Sequence, residues 1–275
     1  MDTIRNAYRE NGFYIARGLL PTSVTDDAIA SLKHHFDNQL RYLKQDPPAD
    51  IYVAMQQLFD ADIERYKKTV GSLWRKLSVY ALCHHDNIQT FVREQFGWND
   101  IVIPGGQVVH IQTARLKIPG GYFGLVPHQD FPSVQGSLDG MVIWIPLVDI
   151  DANRYPLEVI PGSHRQGILP SIENPDSTWE ILPDYYDEND FVPVLCDVGD
   201  VIFMSNFTVH RSSTLGDDRL RLACSTRYDN ADETSFIERG YPTAYVRSVR
   251  REQMFDIARE QKNPGATDVD TGVRS

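Results

Sequence analysis

At 275 residues, with 41% apolar and 11% aromatic side chains, the chain is long enough to fold as one large domain around a substantial core. Its formal charge of 27 − 38 = −11 and pI near 5.1 repel phosphate backbones and anionic membranes, which argues against nucleic acid as a partner. No apolar run approaches the ~20 residues that span a bilayer, and Met1-Asp2-Thr3-Ile4-Arg5 lacks a signal-peptide core, so a soluble cytoplasmic protein is expected.

The first strand is predicted over Gly12-Phe13-Tyr14-Ile15-Ala16-Arg17-Gly18, entered and left at a glycine. Val24, Ile29, Leu32, Phe36 and Leu40 fall at helical spacing and predict a helix from Thr22 to Tyr42, with Thr22 or Ser23 available as its cap. Further helices are read over Ile51 to Val70 and Asn87 to Gln95, so residues 1 to 100 are mainly helical. From Ile101 the texture changes to short β-branched and aromatic runs broken by Gly, Pro, Asp and Asn. Strands are expected over Val108 to Ile118, Leu125 to Phe131, Met141 to Val148, Leu157 to Ile160, Val192 to Cys196, Val201 to Met204, Thr208 to Arg211 and Leu220 to Tyr228. Eight short strands of this kind suit a jelly roll, the double-stranded β-helix, over residues 101 to 230.

Between strands, Leu169 to Asp190 forms an acidic insertion carrying Glu173, Asp176, Glu180, Asp184, Asp187, Glu188 and Asp190, with either a lid or a solvated loop as its role. Residues 231 to 275 read as a C-terminal extension that frays from Gln261 onward. No repeat or linker divides the chain, which predicts a single domain over 1 to 275. Cys83, Cys196 and Cys224 form no CxxC pair and read as reduced, buried thiols.

The chemistry lies in His128-Gln129-Asp130. Alternate residues of a strand share a face, so His128 and Asp130 would project together while Gln129 points away. Two imidazoles and one carboxylate leaving an open face are the ligand set of non-haem Fe(II) oxygenases. His210, opening a hairpin arm after the Gly199-Asp200 turn and strand, is the best third ligand, and His110 on another strand stays open as an alternative. His34, His35, His84 and His85 fall in helical regions. Eleven residues beyond His210, Arg221 shares strand parity with Ala223 and Ser225, which sets a guanidinium beside small side chains and leaves room for a carboxylate ligand. Arg219 suits a surface pair with Asp217 or Asp218.

Taken with Gly12-Phe13-Tyr14-Ile15, Lys117-Ile118-Pro119-Gly120-Gly121, Trp144-Ile145-Pro146-Leu147, Pro161-Gly162-Ser163-His164 and His210-Arg211-Ser212, these motifs span residues 10 to 230 and the chain resembles the phytanoyl-CoA dioxygenase-like group of Fe(II)/2-oxoglutarate oxygenases. The resemblance implies a cupin-like double-stranded β-helix with N-terminal helices. It implies Fe(II) held by His128, Asp130 and His210, with 2-oxoglutarate and O2 as cosubstrates. Arg221 would then clamp the distal carboxylate of 2-oxoglutarate, with Ser212 beside it. Asp130 stands where halogenating relatives carry a small residue, which favours hydroxylation. Two departures, Asn153-Arg154-Tyr155-Pro156 in place of an Asn-Gly turn and Arg211 in place of glycine, fall near the barrel mouth, and His164 reads as a loop-ordering residue.

The substrate is expected to be a small molecule bound near Phe131, Gln135, Trp144 and Lys117. Arg115 is a candidate contact for a substrate anion or for the cosubstrate, with an ordinary surface ion pair as the competing reading. Closure of the acidic insertion over the site would favour a cationic or polyhydroxylated metabolite. The competing functions are a non-catalytic cupin-like binding protein and a metal hydrolase, the latter lacking an identifiable general-base carboxylate.

Overall fold

A computed structural model describes residues 2–119, 123–173 and 179–243. Gly120 and Gly121, Asp176 of the acidic insertion and the C-terminal extension beyond residue 243 lie outside the described residues. Helices α1 (Asp2–Asn11), α2 (Thr22–Tyr42), α3 (Ile51–Ala61), α4 (Ile63–Val70), α5 (Leu77–Cys83) and α6 (Asp86–Phe96) come first, with β1 (Phe13–Ala16) between α1 and α2. There follow β2 (Ile101–Val102), β3 (Val108–Gln112), the short α7 (Phe131–Val134), β4 (Met141–Pro146), β5 (Leu157–Val159), β6 (Ser171–Glu173) and β7 (Trp179–Ile181). The described part closes with β8 (Val192–Val194), β9 (Val201–Ser205), β10 (His210–Ser212), β11 (Arg221–Asn230) and α8 (Thr234–Glu238).

The helix α2 buries Ala28, Leu32, Phe36 and Leu40. Burial of each large side chain contributes roughly 1.5–3 kcal/mol, against a few tenths for intrinsic propensity, so packing holds this helix in place. It starts after Pro21 without a side-chain cap, contrary to the role expected of Thr22 or Ser23. The helix predicted over 51 to 70 is two helices. Asp62 leaves helical geometry at φ −160° and accepts from Arg65 N at 2.9 Å, which caps α4 and ends α3.

Among the described residues, the large antiparallel sheet runs β1-β9-β4-β11, with β2 and β3 both paired to β11; the small one runs β10-β5-β8, beside a β6-β7 hairpin. Alternation along β4 explains the layering. Met141, Ile143 and Ile145 pack on the helices, while Val142 and Trp144 meet Leu157, Val159, Ile202, Met204 and Ala223 between the sheets. This is the expected jelly-roll core with flanking helices, and its interior is where the site lies.

Two strand expectations need correction. The strand from Val108 stops at Gln112 and gives way to a single turn at Ala114–Leu116, because Ala114 N donates to the Tyr155 hydroxyl and Leu116 N to Thr113 O instead of to a neighbouring strand. Leu125 to Phe131 is not a continuous strand either. It touches β10 at only two points, Ser212 N to Leu125 O and the His128/His210 pair, while Pro127 between them faces the other way and accepts from Ile181 N of β7.

Candidate metal centre and its cavities

His128 and His210 exchange backbone hydrogen bonds, N to O at 3.0 Å in both directions, which sets the two side chains side by side with ring centroids 4.1 Å apart. Each ring is oriented by the carbonyl two residues earlier: His128 Nδ1 lies 2.7 Å from Val126 O and His210 Nδ1 2.9 Å from Thr208 O. A carbonyl only accepts, so both Nδ1 atoms carry the proton and both Nε2 lone pairs are left for a metal.

Beyond Gln129 the chain turns into α7, with Phe131 N bonded to Asn206 O, and Ser133 N and Val134 N to Asp130 O. That turn brings Asp130 Oδ1 to 3.5 Å from His128 Nε2 and 3.9 Å from His210 Nε2. Gln129 points away, as expected. It is buried and staples three loops, donating to Gly167 O and Phe207 O and accepting from Leu169 N.

The three ligand atoms lie within 4.8 Å of one another and all three residues are buried. Hard divalent ions in octahedral sites have bonds of about 2.1 Å, which puts neighbouring donors about 3 Å apart, so Asp130 Oδ1 needs to approach the two imidazoles by less than an ångström, and the widest donor pair, within 4.8 Å, by about 2 Å at most. Burial alone would raise the Asp130 carboxyl, but the Arg227 guanidinium, foremost among its neighbours, holds it well below the usual range. Burial, with His128 beside it, drives His210 down to about 3. An ionised carboxylate beside a neutral imidazole is the donor state that Fe(II) requires.

A cavity of about 510 Å³ adjoins this centre, lined by apolar side chains of β3 and α4, by Leu116, Ile118, Phe123 and Leu125, and by His110, Gln112, Ser212, Arg221 and Arg227. Arg221 is buried, donates from Nη1 to Gln112 Oε1 at 2.7 Å and lies 5.4 Å from the Trp144 ring. A smaller space is shared by Trp144, Ser212 and Arg221 with both histidine ligands. Gly124, at φ +92°, lies against this wall; a Cβ there would sit 2.9 Å from Ser212 Cβ. Arg219 forms surface pairs with Asp217 and Asp151, as expected.

Several sequence-predicted pocket residues are elsewhere. Arg115 is exposed and paired with Asp60, which settles its reading as a surface ion pair. Lys117 is exposed, 5.1 Å over the Phe123 ring. Phe131 and Gln135 face away because α7 starts after Asp130: Phe131 stacks on Phe207 at 4.5 Å, and buried Gln135 donates to Pro132 O. Among the described residues of the acidic insertion, no carboxylate lines these cavities; Glu188 pairs with Arg211, which also holds Glu158 and lies on the Phe191 ring. The departure at Arg211 therefore fastens the insertion to β5. At the other departure, buried Tyr155 donates to Asp217 O. His164 meets Arg9 O on α1, a loop-ordering contact.

His110 lies outside this cluster. Its Nε2 bonds Ser225 Oγ at 2.9 Å, and burial, with Arg221 and Arg227 nearby, keeps it well below the ordinary histidine range. Sequence reasoning missed Gln112 and Arg227. Arg227 continues the parity of Arg221, Ala223 and Ser225 along β11, so extending that face by one more step would have found it.

Residues 8–221 match the model of the family described as Phytanoyl-CoA dioxygenase (PhyH). Among curated proteins, the peroxisomal phytanoyl-CoA dioxygenase of Rattus norvegicus is 22% identical over 242 residues, covering 83% of this chain and 68% of that enzyme. The dioxygenase lolE1 of Epichloe uncinata is 28% identical over 124 residues, 44% of this chain and 45% of that protein. In fold the chain is similar to the epimerase SnoN in complex with Fe3+, alpha ketoglutarate and nogalamycin RO, at TM-score 0.56 and 19% identity over 84% of this chain and 83% of that one. It is also similar to the non-heme monooxygenase ThoJ in its Ni complex, at TM-score 0.55 and 18% identity over 82% and 77%.

Proposed function

Because the chain belongs to the phytanoyl-CoA dioxygenase family and is an Fe(II)/2-oxoglutarate-dependent oxygenase, we propose that it hydroxylates a C–H bond of a small molecule with an apolar body. One 2-oxoglutarate and one O2 are consumed; one oxygen atom enters the substrate C–H bond and the other enters succinate, with release of CO2. The observation that carries this is the convergence of His128 Nε2, His210 Nε2 and Asp130 Oδ1 on one buried point beside a largely apolar cavity.

His128, Asp130 and His210 would hold the iron, and the chemistry that iron and its cosubstrate supply is oxygen activation coupled to oxidative decarboxylation. Arg221, oriented by Gln112, offers its guanidinium to the distal carboxylate of 2-oxoglutarate, with the Ser212 hydroxyl beside it. Trp144 walls the same space and excludes water from it. Val70, Val109, Ile111, Leu116 and Ile118 would orient the substrate by shape, with no carboxylate among the lining residues to attract a cation. We assign the described elements to one oxygenase domain. Three buried free cysteines suit a reducing, cytoplasmic setting, and among the described residues no helix is long and apolar enough to cross a membrane.

The test is succinate release from 2-oxoglutarate by purified protein given Fe(II), ascorbate and O2, with and without candidate apolar substrates. His128→Ala is expected to abolish it, and succinate release that persists in that variant would refute the assignment.

A further inference from the structure

We infer that Arg227 is a positioning residue that keeps Asp130 a one-oxygen ligand, so that the metal retains the coordination positions its cosubstrates need. The inference rests on the metal centre assigned above. Arg227 Nε and Nη2 both converge on Asp130 Oδ2, at 2.9 and 2.8 Å, instead of forking across the two carboxylate oxygens. Oδ1 is thereby left as the oxygen that faces the two histidine Nε2 atoms.

Arg227 is itself fixed. Its Nη1 donates to Ser225 Oγ at 3.2 Å on the same strand, β11, and Ser225 Oγ is bonded to His110 Nε2 on the adjoining β3. The guanidinium also stands between two spaces. It lines the large cavity and a second one of about 180 Å³ on the other flank of Asp130, formed by Pro104, Gly105, Gly106, Ser133 and Val134.

A carboxylate can bind a metal through one oxygen or both. Three protein donors leave three positions of an octahedron, two for the oxo acid and one for O2. Were Asp130 to swing its second oxygen onto the metal, one of these would be lost. Two charge-assisted hydrogen bonds to Oδ2 oppose that swing.

The experiment uses the full-length protein loaded anaerobically with Co(II), whose d–d absorption reports coordination number, first without 2-oxoglutarate. Arg227→Met is expected to bind Co(II) with an altered spectrum and to weaken 2-oxoglutarate binding by about 10–100-fold. Arg227→Lys, which keeps a cationic donor, is expected to restore the spectrum toward that of the parent protein. A direct contact between Arg227 and 2-oxoglutarate would lower that affinity too, but would leave the spectrum without 2-oxoglutarate unchanged. An unchanged spectrum in a folded Arg227→Met variant therefore overturns the inference. Failure of the parent protein to bind Co(II) would instead refute the metal centre, and this inference with it.

Discussion

Replacing Arg221 by alanine is expected to raise the 2-oxoglutarate requirement while leaving the iron requirement nearly unchanged. Arg221 touches Gln112 and lies beside Trp144, and the contacts that hold the three metal donors come from elsewhere: Val126 O, Thr208 O and Arg227. Truncating one partner of a buried, hydrogen-bonded charge pair costs about 2–5 kcal/mol. At about 1.4 kcal/mol per factor of ten, the dissociation constant for 2-oxoglutarate should rise from roughly 30-fold to a few thousand-fold. Succinate release measured against 2-oxoglutarate at saturating Fe(II), and against Fe(II) at saturating 2-oxoglutarate, separates the two requirements. Equal rises in both, or a change below about threefold in the first, would refute the place given to Arg221.

Two further outcomes follow from buried polar groups. Burial pushes the Asp229 carboxyl from 3.8 up to about 7, against the hydrogen bonds from Ser137. The folded state thus holds a proton that the unfolded state releases between those values, so this carboxyl's favourable contribution is full below pH 3.8 and is lost as pH rises through about 7. Asp229→Asn removes the loss and should be more stable than the parent at pH 8, by on the order of 4 kcal/mol, with the difference gone near pH 4; urea unfolding at the two pH values measures it, and a pH-independent difference would contradict the reasoning. Gln129→Leu abandons the carbonyls of Gly167 and Phe207 and the N–H of Leu169. Leaving buried groups unsatisfied should cost about 2–4 kcal/mol, read as a lower Tm, and a Tm within a degree of the parent would show that solvent replaces the side chain.

The motif His128-Gln129-Asp130 was legible because its residue types carry the chemistry wherever the backbone goes. A strand was the expected route to bringing His128 and Asp130 together, yet the structure does it with a two-point contact to β10 and a turn into α7. The same turn sends Phe131 and Gln135 away from the cavity, while His128, Asp130 and His210 still meet. Arg115 failed for a related reason: beyond Gln112 the strand period no longer applied, and the side chain found Asp60.

Sequence by itself determined the His128-Gln129-Asp130 motif, the family, the layered helix-and-strand order and the arginine on β11, because these depend on residue type, local period and short spacings. Tertiary structure alone decided that His210, and not His110, joins the pair, since that choice depends on which strands exchange hydrogen bonds across the barrel. It also decided that Arg227 takes one oxygen of Asp130, that Gln112 orients Arg221, and that Arg211 ties Glu188 of the acidic insertion to β5. Each of these contacts joins residues between 23 and 109 positions apart in the chain. At such separations no local pattern records which charge will meet which, and only the closed fold fixes the pairing.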